Sequence, residues 1–424
     1  MGCPQPLVLR ARVVLPVQRP PIEDGAVVVS KGRLLAVGQW RYVRRHHRGP
    51  VHDLGESILL PGLINAHCHL DYTGMAGMWP VPRSFCDWIK CITTEKGLWS
   101  QAEFAQSWRE GAAMLLRSGT TTVGDVEALP ELLPEAWRTT PLRVISFLEM
   151  TGIRSRRAPR QILQEAVAKM DALPVGRCAT GLSPHAPYST LPELMRLSAR
   201  AARRRRWLLT THVAESAAEF EMFAHGHGEM FDWLQRSERD MSDCGGTSPV
   251  RHLEATGLLA HNLLAIHVNY LAPGDAELLA KHHVTVVHCP RSHEYFRHEM
   301  FPRRALAKAG VNVCLGTDSL ATVRKHPREH IELSLFDELH TFAKHHDGVR
   351  PEALLRMVTL NPAFALGLRG LAGELTAGAR ADLITVPFEG SPRQAVAAII
   401  AHRGPVSASM IDGRWALAPG PASP

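Results

Sequence analysis

No two of the eight cysteines (3, 68, 86, 91, 178, 244, 289 and 314) stand in a C-x-x-C spacing, and no secretory segment precedes them. That absence argues against a disulfide scaffold or a paired-thiol motif and leads to the expectation of reduced thiols in a cytoplasmic protein. No apolar run reaches the roughly 18 to 20 residues of a membrane span, so no membrane partner is expected. Residue 6 is Pro, where a myristoylation signal needs Ser or Thr. Internal repeats of solenoid period and low-complexity tracts are also missing, which sets repeat architectures aside. No aromatic residue interleaves the run Arg203 to Arg206. The run therefore reads as the cationic C-terminal end of an exposed helix, and nucleic acid is not an expected partner.

What is present is an ordinary globular composition in 424 residues, 45% hydrophobic and 21% charged. That length calls for one large domain and a smaller one. The net charge of +7 rests largely on arginine and suits an anionic small substrate.

From residue 58 onward, short apolar runs of strand length alternate with segments of helical period, the pattern of a parallel sheet. Eight runs are legible: Ile58 to His67, Thr120 to Val126, Leu142 to Leu148, Ala179 to Pro184, Trp207 to Val213, Leu263 to Val268, Val284 to Cys289 and Val311 to Thr317. Eight such strands imply a (β/α)8 TIM barrel over 58–370. Between them, Glu103 to Leu116 sets Phe104, Trp108, Ala112 and Leu115 on one face, and Leu191 to Ala202 and Asp275 to Ala280 also read as helices. The segment from Asp71 to Glu103 reads as a long loop carrying Trp79, Phe85, Trp88 and Trp99, and Glu219 to Val250 as a second insertion interrupted by glycines. Loops at this end of a barrel commonly cover the site. The alternating segments of 1–57 and 371–424 imply a small composite β-domain made from both chain ends.

The chemistry falls at the C-terminal ends of the expected strands, where barrel enzymes keep their sites. The first strand ends in His67-Cys68-His69, the fifth in His212, the sixth in His267 and the eighth in Asp318. Residues i and i+2 of a strand share a face, so His67 and His69 can aim at one ion while Cys68 packs on the opposite face. His212 and Asp318 complete an N3O set suited to one Zn²⁺, with Fe²⁺ as the alternative. Because no lysine falls between 170 and 280, a carbamylated lysine bridging two metals is not expected from the fourth strand. Glu215, three residues beyond His212, is the candidate general acid/base, and His267 can stabilise developing charge. His185 would face the substrate. The doublets His46-His47, His282-His283 and His345-His346 read as structural, and His288 stands open between the two readings.

The segments Pro61-Gly62-Leu63-Ile64-Asn65-Ala66-His67-Cys68-His69-Leu70, Thr211-His212-Val213-Ala214-Glu215-Ser216 and Leu315-Gly316-Thr317-Asp318-Ser319 together resemble the amidohydrolase superfamily. The branch they are most similar to holds adenosine-type, guanine and cytosine deaminases and triazine chlorohydrolases; Ser183-Pro184-His185-Ala186-Pro187-Tyr188 and His288-Cys289-Pro290-Arg291-Ser292 further resemble deaminases of adenine nucleosides, aminodeoxyfutalosine deaminases included. The resemblance implies one zinc or iron on His67, His69, His212 and Asp318, with Glu215, His267 and Asp318 sharing proton transfer. It also implies hydrolytic deamination of an adenine-type nucleoside or related N-heteroaromatic; chlorohydrolase or amide hydrolysis by the same site is the alternative, and a non-catalytic metal-binding scaffold a third reading. His185, Trp88, Arg291 and Arg154 are the expected substrate-binding residues, with Arg291, Arg154 and Arg156 available to hold a distal carboxylate through paired hydrogen bonds. His293 departs from the Asn common in such relatives. A small-molecule substrate is the expected partner, and a homo-oligomer is allowed.

Overall fold

The structure is a computed structural model and describes residues 5–153, 158–174, 176–326 and 328–420. Eight parallel strands lie side by side in chain order: Leu63–Cys68, Thr120–Glu127, Arg143–Met150, Ala179–Pro184, Leu209–Val213, Leu263–His267, Thr285–His288 and Asn312–Leu315. The eighth comes back to the first. A parallel bridge pairs Cys68 with Asp318, and the Thr317 amide donates to the His67 carbonyl at 3.0 Å. The sheet is thus a (β/α)8 barrel. Gly316 permits its closure, because a Cβ there would stand 2.7 Å from the His67 carbonyl oxygen.

Seven of the eight expected runs each coincide with one barrel strand, although the second and third strands run on to Glu127 and Met150, beyond the expected ends at Val126 and Leu148. The first, Ile58 to His67, is divided: Ser57–Pro61 pairs in a different sheet and only Leu63–Cys68 enters the barrel. Every residue of both pieces is buried, so the sequence shows one unbroken apolar run with no change of period at the crossing. Gly62 marks it, since a Cβ there would lie 2.2 Å from the Thr121 side chain.

The other sheet runs Arg414–Leu417, Ala408–Ile411, Leu383–Pro387, Ser57–Pro61, Leu7–Val14, Ile22–Ser30, Arg33–Gln39, with Val51–Asp53 beside Leu7–Val14. Leu383–Pro387 lies antiparallel to Ser57–Pro61, with Leu383 opposite Pro61 and Pro387 opposite Ser57. Strands from both chain ends therefore share one sheet. Arg143, at the start of the third barrel strand and almost wholly buried, ties it to the barrel through Asp412 at 2.8 Å and Asp382 at 3.3 Å.

The helix Gln101–Arg117 follows from its sequence at both levels. Ser100 and Glu103 form a capping box that satisfies the first-turn amides, and Phe104, Trp108, Ala112 and Leu115 make the buried stripe. Pro192–Arg205 ends in arginines, with Arg206 left-handed beyond it, as expected of a helix end. The expected loop before residue 103 instead contains a helix, Phe85–Leu98, started by the Ser84 cap. It buries only Phe85, Cys86 and Ile92, too few positions to print a stripe. No helix among the described residues is long and apolar enough to cross a membrane.

Candidate active site

At the C-terminal face of the barrel the strand ends converge as the periodicity requires. His69 Nε2 and His212 Nε2 lie 3.3 Å apart, and Asp318 Oδ1 lies 3.7 Å from His67 Nε2 and 3.8 Å from His69 Nε2. Cys68 turns the other way, into the core with Leu70 and Trp108. The His212 Nδ1 sits 3.0 Å from the His185 carbonyl; donating there leaves the Nε2 lone pair free for a ligand role. Asn65 braces the opposite wall by donating to Thr317 Oγ1 at 2.7 Å and accepting from the Thr317 amide at 3.2 Å.

The backbone is strained here. Ala214, His267, Val268 and Asp318 all have left-handed φ, at 49°, 72°, 50° and 53°. Such conformations in non-glycine residues cost about 1–3 kcal/mol each, and a β-branched valine there is a marked outlier. The strain sits at the ends of three strands that carry site residues, where it re-aims the side chains.

The charge states suit a cation. Burial, then the neighbouring His67, lowers His69 to about 3; burial lowers His267 to about 3 and drives His212 well below its usual range. These imidazoles are neutral and offer lone pairs. Burial pushes the Asp318 carboxyl up, but the His67, His267 and His69 rings outweigh it and hold it well below the carboxylate range. Glu215 moves the opposite way: burial, then Asp318 and Glu219, raise it well above the usual value. Its Oε1 lies 3.4 Å from His267 Nε2.

The donors fit one divalent metal. His67 Nε2 is buried with no hydrogen-bond partner, a costly state that an ion relieves. His67, His69 and Asp318 form one trio, and His67, His212 and His267 another, each with donor atoms within 4.8 Å of one another. Among the described residues every such trio belongs to this site.

Above the donors opens a cavity of about 720 Å³. Trp88, Ile89 and Ile92 from the helix Phe85–Leu98, with Ile153 and Trp233, give it an apolar wall. His185 and Trp88 line this cavity; His185 Nδ1 is 2.6 Å from Ser189 Oγ, and the Trp88 indole nitrogen is buried without a partner. Arg291 does not. Its Nε donates to Glu338 Oε1 at 2.5 Å, its amide to Glu338 Oε2 at 2.9 Å and its NH2 to the Glu332 carbonyl at 2.9 Å. The reason is electrostatic: Glu338 is fully buried on Leu335–His345 and requires a cation. Arg154 and Arg156 lie outside the described residues. His288 stacks on Phe301 with ring centres 3.8 Å apart, away from this cavity, so it packs.

Sequence reading missed the polar pair on the cavity wall, Lys96 and Glu149, whose Nζ and Oε1 are 3.5 Å apart. A signal existed, because Glu149 is the penultimate residue of the third barrel strand. Lys96 had none, since it comes from the helix taken for a loop. Tyr72, stacked on His69 at 5.1 Å and 8°, was equally silent.

A (β/α)8 barrel carrying such a donor set at its C-terminal mouth defines a metal-dependent hydrolase. The match to the Amidohydrolase family over residues 58–416 makes the assignment firm, and the chain belongs to that family, acting on carbon–nitrogen bonds. It is 32% identical over 387 residues to a 5-methylthioadenosine/S-adenosylhomocysteine deaminase of Syntrophobacter fumaroxidans, covering 86% of this chain and 80% of the relative. Two solved structures share the fold. An adenosine deaminase from Xanthomonas campestris with bound zinc superposes with TM-score 0.83 at 24% identity, covering 98% of this chain and 93% of that one. Aminofutalosine deaminase of Helicobacter pylori, complexed with methylthio-coformycin, gives 0.84 at 22% identity, with 96% and 99% covered.

Proposed function

We propose that the chain hydrolytically deaminates an adenine-type nucleoside, with one zinc ion held by His67, His69, His212 and Asp318. The observation that carries this reading is Glu215: a buried carboxyl whose surroundings keep its proton on, next to neutral His267 and ionised Asp318. A metal in that donor set supplies Lewis acidity that lowers the pKa of a water toward neutrality. Glu215 protonates the ring nitrogen beside the amino-bearing carbon, which makes that carbon electrophilic. Asp318 takes a proton from the attacking water and passes it to the amino group; the C–N bond breaks to release ammonia while the hydroxyl proton returns to the Glu215 carboxylate, leaving a ring carbonyl. His267 donates no net proton; its Nε2 lies where it can stabilise the new oxygen substituent.

The curated relative's substrates support a thioether-bearing nucleoside, and the apolar wall of Trp88, Ile89, Ile92 and Ile153 suits such a group. A reducing, cytoplasmic setting is supported by the described cysteines, all of which are free. The test is a panel of adenosine, 5′-methylthioadenosine, S-adenosylhomocysteine, guanine, cytosine and a chlorinated triazine, scored for ammonia or chloride. Ammonia from the adenine nucleosides is expected. Chloride from the triazine with no ammonia from any nucleoside would replace deamination by dechlorination.

A further inference from the structure

A second cavity, of about 1100 Å³, lies at the opposite end of the barrel. Its lining includes Thr140 and Pro141, just before the third barrel strand, and Arg177, just before the fourth, so it sits at the N-terminal ends of the strands, away from the metal donors. The rest of its wall comes from two hairpin tips of the chain-end sheet. One tip turns through Lys31 and Gly32, the other through Asp412 and Gly413, all four with left-handed φ, as two-residue hairpins require. The tips touch: a Cβ on Gly413 would stand 3.0 Å from the Gly32 Cα. The cleft therefore lies at the junction of the barrel and the chain-end sheet.

Its charge is one-sided. Lys31, Arg33, Arg138, Arg177, Arg380 and Arg414 line it, against one carboxylate, Asp412. That carboxylate is already shared by Arg143 at 2.8 Å and Arg380 at 3.4 Å. Arg33 and Arg177 meet no carboxylate among the described residues; carbonyl oxygens hold them, that of Gly378 at 2.8 Å for Arg33 and those of Leu142 at 3.0 Å and Thr140 at 2.7 Å for Arg177. Carbonyls fix a guanidinium in place without cancelling its charge. Planar forks so fixed match phosphate oxygens bidentately. The volume exceeds one small anion, the cations come from five separate segments, and Trp415 adds a half-buried aromatic face.

We propose that this cleft binds a small metabolite carrying two or more linked phosphates. The probe is inorganic pyrophosphate, titrated calorimetrically into the metal-loaded protein, beside K31E/R138E/R414E. None of these three side chains makes a hydrogen bond or ion pair among the described residues, and all are exposed. The triple variant should therefore fold and keep its basal turnover, and R138E and R414E singly carry the comparison if it does not. Saturable binding that weakens at least tenfold in the variants is expected. Equal heats in wild type and variants would assign the signal to the metal and overturn the proposal. So would the absence of saturation, orthophosphate binding as tightly as pyrophosphate, or displacement by duplex DNA at lower concentration than pyrophosphate needs.

Discussion

Glu215 can be separated from the ligands that surround it because its chemistry is a proton, not a lone pair. Glu215→Gln is expected to keep one metal per chain and an unchanged melting temperature while kcat/KM falls about 10²- to 10⁴-fold, the range of a general acid/base. His212→Ala should lose the metal itself. Elemental analysis and turnover decide it, and near-normal turnover of Glu215→Gln would give the proton to another group. A second buried carboxyl, Glu127 at the end of the second barrel strand, makes a pH prediction. Burial, then Asp125, raises it to about 8. The folded protein therefore holds that proton while the unfolded chain loses it near 4.5, and stability drains away as pH climbs from about 4.5 to 8. Glu127→Gln keeps an oxygen for the Leu129 amide, which donates to Glu127 Oε1 at 2.6 Å. The variant should melt with wild type at pH 5 and a few degrees above it at pH 8.5; parallel melting curves across that window would refute the assignment.

At the scale of elements, what could be read beforehand tracked how strongly each element prints its period. Barrel strands buried on both faces print as short apolar runs, and polar residues ending them pointed to His67, His69, His212, His267 and Asp318. The helix Phe85–Leu98 packs mostly over a cavity rather than a core, so it prints no stripe, and its Lys96 went unseen. Arg291 failed for a different reason: its partner, Glu338, lies 47 residues away, and no local pattern announces a buried carboxylate. The structure turns that failure into a prediction. Arg291→Ala leaves Glu338 buried without its cation, keeping only the residue-291 amide, which should cost roughly 3 kcal/mol in denaturant unfolding and leave KM unchanged. A tenfold KM rise in a variant of normal stability would return Arg291 to the substrate.

For the molecule as a whole, the metal is expected to be part of the folding equilibrium, since it binds donors brought together only by the closed barrel. Chelation should lower the melting temperature, and one equivalent of Zn²⁺ should restore it; restoration that needs two equivalents would contradict a mononuclear site. The chain-end sheet carries a consequence for biosynthesis. Ser57–Pro61 is flanked by Leu7–Val14 and Leu383–Pro387, and the second neighbour is made more than three hundred residues after it. At ordinary translation rates of about 5–20 residues per second, that strand waits some tens of seconds with one edge open. Its residues Ile58, Leu59 and Leu60 are all apolar, the composition that recruits foreign strands. The nascent chain therefore spends most of its synthesis exposing a sticky edge two residues ahead of the barrel's first strand, and a cell making this protein has reason to shield that edge with a ribosome-associated chaperone until the last strands emerge.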